Sequence, residues 1–186
     1  MTEAKLSEMR LFLTALLGMI VLAMNLRLMA PTITAGDSAE LSTAQSSLGI
    51  AHSPGYPLFV LAGKAFSELL PFGGPAYRTN GFSACLSAFC AMLAVLFLLV
   101  WTDSAILSLG GAFALISLPV IREQFLTTEV FALNFFLALV LLFLLSLILS
   151  LGDPTLKNKV LCLAYFVLGL GLGSLSLSTL VAAVNK

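Results

Sequence analysis

Long apolar runs broken by short polar turns, with one long polar insert after the first run, set the pattern of this chain. A helix needs about 20 mainly apolar residues to cross a hydrocarbon core about 30 Å thick. Five runs approach that length, at residues 11–30, 82–101, 104–121, 131–151 and 160–184. The fourth is the purest, almost entirely Leu, Phe, Val, Ala and Ile, while the third is shorter and holds Gly110, Gly111 and Pro119. No alternation of polar and apolar positions suggests a barrel. Within a bilayer each span must satisfy its own backbone polar groups, so the runs predict helices. The expectation is an all-α polytopic membrane bundle of about five transmembrane helices, forming a single membrane domain over residues 1–186.

The linkers are unequal. Thr102 and Asp103 make a tight turn, and residues 122–130 and 152–159 are short connections. Residues 31–81 are far longer, and a connection of that length in a compact domain is usually functional or disordered. Its apolar runs at 58–62 and 66–70 and its few charges predict a folded external loop of short helices lying on the membrane surface. No internal repeat is visible.

Composition sharpens this picture. The chain is 60% hydrophobic and 10% charged, against about 25% charged in soluble domains, and its mean hydropathy is +1.08. Nine basic and nine acidic residues give a net charge of +0, which excludes the basic stripe of a nucleic-acid binder. Cys85, Cys90 and Cys162 have no metal or redox spacing and read as packing residues. Lys5 and Arg10 before the first run fit a signal peptide, but the run is long and no small-x-small site follows, so retention is expected. Lys5, Arg10, Lys157 and Lys159 fall on one side. Arg27, Lys64, Arg78, Arg122 and Lys186 fall on or near the other, so charge only slightly favours an internal N-terminus. Buried charges within the spans are too scarce for a small transporter.

The candidate chemistry gathers in residues 36–59, GDSAELSTAQSSLGIAHSPGYPLF, which hold the single histidine of the chain. Asp37 and Glu40 have capping-box spacing, with Glu40 expected to bond back at the third helical position. The same carboxylates are candidates for a general base or a cation-holding pair, and a rigid helix start suits a base. His52 lacks a second ligand for a metal site and is a candidate to bond a phosphate or sugar hydroxyl, or to fix the turn after it. Ser53-Pro54-Gly55-Tyr56-Pro57 reads as a rigid turn with positive φ at Gly55 and Pro57 opening a helix. Arg78 is a candidate for a lipid phosphate or an interfacial anchor. Arg122 and Glu129 read as markers of the water boundary, Arg122 and Glu123 as candidates to pair with other residues at that level, and Asn134 as a bond to a neighbouring helix. No metal or other cofactor is indicated; Asp37 and Glu40 alone do not make a fuller divalent-cation set.

Taken together, these blocks resemble the N-terminal membrane region of a large family of multi-pass proteins, mostly bacterial, whose animal relative is a transmembrane protein O-mannosyltransferase. Members typically carry Gly-Asp-Ser-Gly-Glu, His-Pro-Pro-Gly-Tyr-Pro-Leu and Ala-Tyr-Arg-x-Asn. This chain has Ala39 in the first block, Ser53 in the second, and a full match from Ala76 to Asn80. Thr128 to Asn134 resembles a further stretch. The resemblance implies a GT-C type glycosyltransferase with a large first external loop bearing a catalytic acid. It implies transfer of mannose from a polyprenyl-phosphate donor to a protein Ser/Thr or glycan hydroxyl, at the outer face of a bacterial inner membrane. By the same resemblance Asp37 is the base, and Glu40, His52, Tyr56 and Arg78 line the substrate site, with Arg78 or His52 facing the phosphate. Two departures stand out. Gly173-Ser174-Leu175 replaces a Gly-Asn-His run. Such enzymes also usually have more than five spans and often a soluble C-terminal domain, so the expectation is a truncated product, a short paralogue or a fragment of such an enzyme. The alternative is a non-catalytic polyprenyl-lipid-binding or partner membrane subunit.

Overall fold

The computed structural model describes residues 3–70 and 72–174, and those residues form eight helices and no strand. They are α1 (Glu3–Leu28), α2 (Ser38–Ser47), α3 (Pro57–Leu69), α4 (Pro75–Thr102), α5 (Ala105–Ser117), α6 (Pro119–Glu123), α7 (Val130–Ser150) and α8 (Pro154–Ser174). Four of them, within Ala4–Leu28, Pro75–Thr102, Val130–Ser150 and Pro154–Gly173, are long and apolar enough to cross a membrane.

The element starts follow local chemistry. Proline opens α3, α4, α6 and α8, where its missing N–H is no loss. The Ser104 hydroxyl caps α5 by accepting from Leu107 N. Pro119 also explains the main departure from the expected spans. The run 104–121 is not one helix: α5 ends at Ser117, Leu118 is non-helical, and the five-residue α6 follows. The residue before a proline is pushed out of the helical region, so α5 has 13 residues and rises only about 20 Å. The second span begins at Pro75 rather than 82, and the last begins at Pro154 rather than 160. Residues 175–184, the end of the expected fifth span, lie outside the described residues.

Helix α4 is the hub, packing against α1, α5 and α7 along its length and against α2 and α3 near its start. Its buried face is built of small residues, among them Ser83, Ala84, Ser87, Ala88, Cys90, Ala91 and Ala94. Small side chains let helix backbones approach where lipid provides no hydrophobic drive. Polar bonds fix the register: Asn25 Nδ2 donates to Ser87 Oγ at 2.7 Å between α1 and α4, and Trp101 Nε1 donates to Ser146 Oγ at 3.0 Å between α4 and α7. At the end of the bundle holding the N-terminus, Arg10 donates to the Asp103 carboxylate at 2.7 Å and to its carbonyl at 2.8 Å. The outward faces are apolar, with Phe12, Met19, Tyr165 and Phe166 exposed.

At the opposite end, residues 29–70 and 72–74 fold over the bundle with α2 and α3. A buried polar network ties this cap down. Asn80 Nδ2 donates to the carbonyls of Ala30 at 2.8 Å and Thr32 at 3.1 Å. Thr128 donates to Asn80 Oδ1 at 2.6 Å, and Thr79 links Thr128 at 2.7 Å to Ser42 of α2 at 3.0 Å. Ala30 N adds a bond to Leu126 O at 2.9 Å. The network thus binds the segment after α1, helix α2 and the turn before α7 to the first turns of α4.

Candidate functional site

Three of these tethered segments supply the side chains that meet. Gly36, with φ +83, turns the chain into α2 and leaves Asp37 at its N-cap position. The expected capping box does not form: Asp37 makes no side-chain cap bond. Glu40 turns away from the helix start and takes His52 instead, accepting from its backbone N and, through Oε2, facing Nδ1 at 3.1 Å. A local motif has lost to a partner twelve residues on in sequence: Glu40 is spent on His52, and Asp37 is left without a cap bond.

His52 is held by the turn that follows it. Gly55 N donates to His52 O at 2.7 Å, Gly55 takes φ +91, and the Ser53–Pro54 peptide is cis. Tyr56 adopts the left-handed conformation, φ 45, before Pro57 opens α3. That bend carries the Tyr56 ring back against the imidazole, edge to face with centroids 5.3 Å apart. Its hydroxyl lies 3.4 Å from His52 Nε2, and Asp37 Oδ2 lies 3.9 Å from the same nitrogen. Asp37, Glu40, His52 and Tyr56 therefore form one cluster.

Arg78 is elsewhere. Its Nε donates to the carbonyls of Phe72 at 3.2 Å and Gly73 at 3.1 Å, pinning the loop before α4. Glu129, read from sequence as a boundary marker, joins the cluster electrostatically. It sits at the N-cap of α7 without a side-chain cap bond. Its carboxyl is pushed above the ordinary value, first by burial and then by the charge of Asp37, with His52 opposing. The buried Tyr56 hydroxyl is likewise pushed up, first by burial and then by Asp37, Glu40 and Glu129. The stretch Thr128 to Asn134, with its resemblance to a family block, was the signal that could have found Glu129.

Asp37 and Glu129 line an open cleft of about 590 Å³, together with Gly36, Glu123, Gln124 and Phe131. An apolar groove of about 400 Å³ adjoins it, lined by Val120, Ile121, Phe125 and Phe135 and sharing Gln124 and Phe131 with the cleft. Among the described residues neither Arg122 nor Glu123 forms an ion pair; Arg122 borders a small pocket between α1 and α5, with its Nε buried and unbonded. Among the described residues no group of three or more His, Cys, Asp or Glu is placed to hold a metal ion.

A sequence profile of the protein O-mannosyl-transferase TMEM260 N-terminal domain matches residues 37–185. Over 105 residues the chain is 37% identical to protein O-mannosyl-transferase TMEM260 of Mus musculus, covering 55% of this chain and 15% of the mouse protein. Over 116 residues it is 28% identical to protein O-mannosyl-transferase tmem260 of Dictyostelium discoideum, covering 61% of this chain and 14% of that protein. The chain thus spans a small part of the length of these relatives. No solved structure matches it.

Proposed function

The chain belongs to the family of the protein O-mannosyl-transferase TMEM260 N-terminal domain, and from that premise we propose that it is the membrane-embedded N-terminal part of a GT-C type mannosyltransferase. The donor is a polyprenyl-phosphate sugar, and the acceptor is a hydroxyl such as a protein Ser or Thr. The observation that supports the reading is an acidic cleft adjoining an apolar groove, the two sharing Phe131 and Gln124. A polyprenyl chain suits the groove, and its sugar then reaches the cleft beside Asp37. Asp37 takes the proton of the acceptor hydroxyl as that oxygen attacks the anomeric carbon. The phosphate leaves with the bonding electron pair, and the anomeric configuration inverts. Glu40, His52 and Tyr56 shape the wall of the site. The cap faces the exterior, which in a bacterial inner membrane is the periplasm.

The test is mannose transfer from a polyprenyl-phosphate mannose to a Ser/Thr peptide by wild type and Asp37→Asn, with donor binding followed in parallel. Transfer by the wild type, lost in the variant with binding intact, supports the reading. Donor binding by both without transfer by either favours the second reading, a non-catalytic lipid-binding or partner subunit. The groove supports that second reading without any chemistry.

A further inference from the structure

We propose that Glu40 is a positioning residue that fixes His52 as the Nδ1–H tautomer, so that its bare Nε2 relays the proton of Asp37 to solvent. The relay rests on the transferase reading above; the placement of His52 by Glu40 does not.

Glu40 engages His52 twice, through the backbone N and through Nδ1 at 3.1 Å. An ionised carboxylate offers only acceptors, so the Nδ1 facing it carries the hydrogen. The tautomer of an imidazole is set by the bond its other nitrogen makes, and Nε2 is then left with its lone pair. Two groups face that lone pair. Tyr56 is buried, keeps its proton, and can donate from 3.4 Å. Asp37 Oδ2 stands at 3.9 Å. An ionised Asp37 and a bare Nε2 are both acceptors, so they stand apart until a proton comes between them.

Deprotonation of the acceptor hydroxyl supplies that proton. The O–H bond breaks to Asp37, and the protonated carboxyl can then donate to Nε2. Transfer gives an imidazolium whose Nδ1–H faces Glu40 and whose Nε2–H faces Asp37, again a carboxylate. The His52 side chain is 40% exposed, so water takes the Nε2 proton and restores the starting state. No oxidant, reductant or metal enters the balance. The charged and titratable groups facing His52 are Asp37 and Glu40 beside it, Tyr56 from its own turn, and Glu129 from α7.

His52 is the only histidine in the chain, so imidazole-¹⁵N histidine labelling gives one residue to read by NMR without assignment. At about pH 8.5, above the usual imidazole range, the wild type is expected to show protonated Nδ1 and bare Nε2, the reverse of the preference of free histidine. Glu40→Ala is expected to return the ring toward Nε2–H and to lower transfer about 100-fold with donor binding kept. Glu40→Gln retains an amide oxygen for Nδ1–H but no charge for the imidazolium, so the tautomer persists while the rate falls. A wild-type Nε2–H tautomer, a spectrum unchanged in Glu40→Ala, or undiminished transfer in that variant each overturns the relay alone. No transfer by the wild type, with Nδ1–H present, overturns the relay together with the transferase reading and leaves the Glu40–His52 unit standing.

Discussion

Thr128 donates a 2.6 Å hydrogen bond to Asn80 across forty-eight residues of chain, and both side chains are fully buried. The bond places the turn bearing Glu129 against the start of α4, while the amide of the same Asn80 grips the two carbonyls that lead towards Asp37. Site geometry therefore depends on side chains that touch neither cleft nor groove.

Removing this network's hydroxyl without changing its shape isolates the effect. Thr128→Val leaves Asn80 Oδ1 and Thr79 short of a partner and is expected to destabilise by about 1–3 kcal/mol, the cost of an unsatisfied buried polar group. Thr128→Ser keeps the hydroxyl and is expected to lose less. Chemical unfolding in detergent, compared across the pair, reads the difference, and equal stabilities would remove the network from the account.

Helices α2 and α3 meet where Gly63 lies against the buried Gln45 side chain. A Cβ at Gly63 falls onto the Gln45 amide, whose Nε2 already donates to Phe59 O at 3.1 Å. Gly63→Ala is expected to cost about 1–3 kcal/mol by overpacking. Adding Gln45→Ala should recover part of that loss, because the space returns. A double-mutant cycle by thermal unfolding checks this; strict additivity contradicts the contact.

Glu129 sets a pH dependence of stability. Its folded pKa is raised above the ordinary 4.5 by burial and Asp37, so the folded state holds the proton more tightly than the unfolded one. The stabilising contribution is complete below the unfolded pKa and is lost as pH rises through the folded value. Glu129→Gln stays neutral throughout, so its Tm is expected to exceed that of the wild type at pH 7.5, with the gap closing toward pH 4.5. A constant gap across that range would mean burial of Glu129 is not the source.

Arg78 holds the loop before α4, and its variants should report stability rather than ligand. Arg78→Gln removes the guanidinium bonds to the Phe72 and Gly73 carbonyls and is expected to cost about 0.5–1.5 kcal/mol, with donor affinity unchanged. A large loss of affinity in a fully folded variant would return Arg78 to the phosphate.

Phe131 is shared by cleft and groove. Phe131→Ala is expected to weaken binding of a long-chain polyprenyl-phosphate sugar about 5- to 30-fold, on the order of 1–2 kcal/mol of apolar contact. A short-chain, water-soluble analogue should bind as before, and equal losses for both would place the chain outside the groove.

Much of this was legible in the residues. Apolar runs predicted the long helices because lipid demands length and apolarity together. The rigid Pro-Gly-Tyr-Pro turn and the clustering of Asp37, Glu40, His52 and Tyr56 also follow from their nearness in sequence. The misses have a common cause. A hydropathy run does not register the break that Pro119 imposes at Leu118. Capping-box spacing describes a local bond, and here a non-local partner, His52, outcompeted it. The surroundings of Arg78 and Glu129 were not legible because they depend on how the loop ends fold: Gly73, at φ +81, presents its carbonyl to Arg78, whereas the start of α7 brings Glu129 under the charge of Asp37.

The hub role of α4 bears on which insertions and deletions the chain can survive. A residue gained beside Ile50, which is 91% exposed, falls in a surface connection between α2 and the turn. One residue inserted in α4 between Asn80 and Ser87 is different, because each helical position adds about 100° of rotation. Ser87 kept against Asn25 would then carry Asn80 away from Ala30, Thr32 and Thr128 at once. Over that stretch of two turns, the length of the helix is constrained as tightly as its small buried residues.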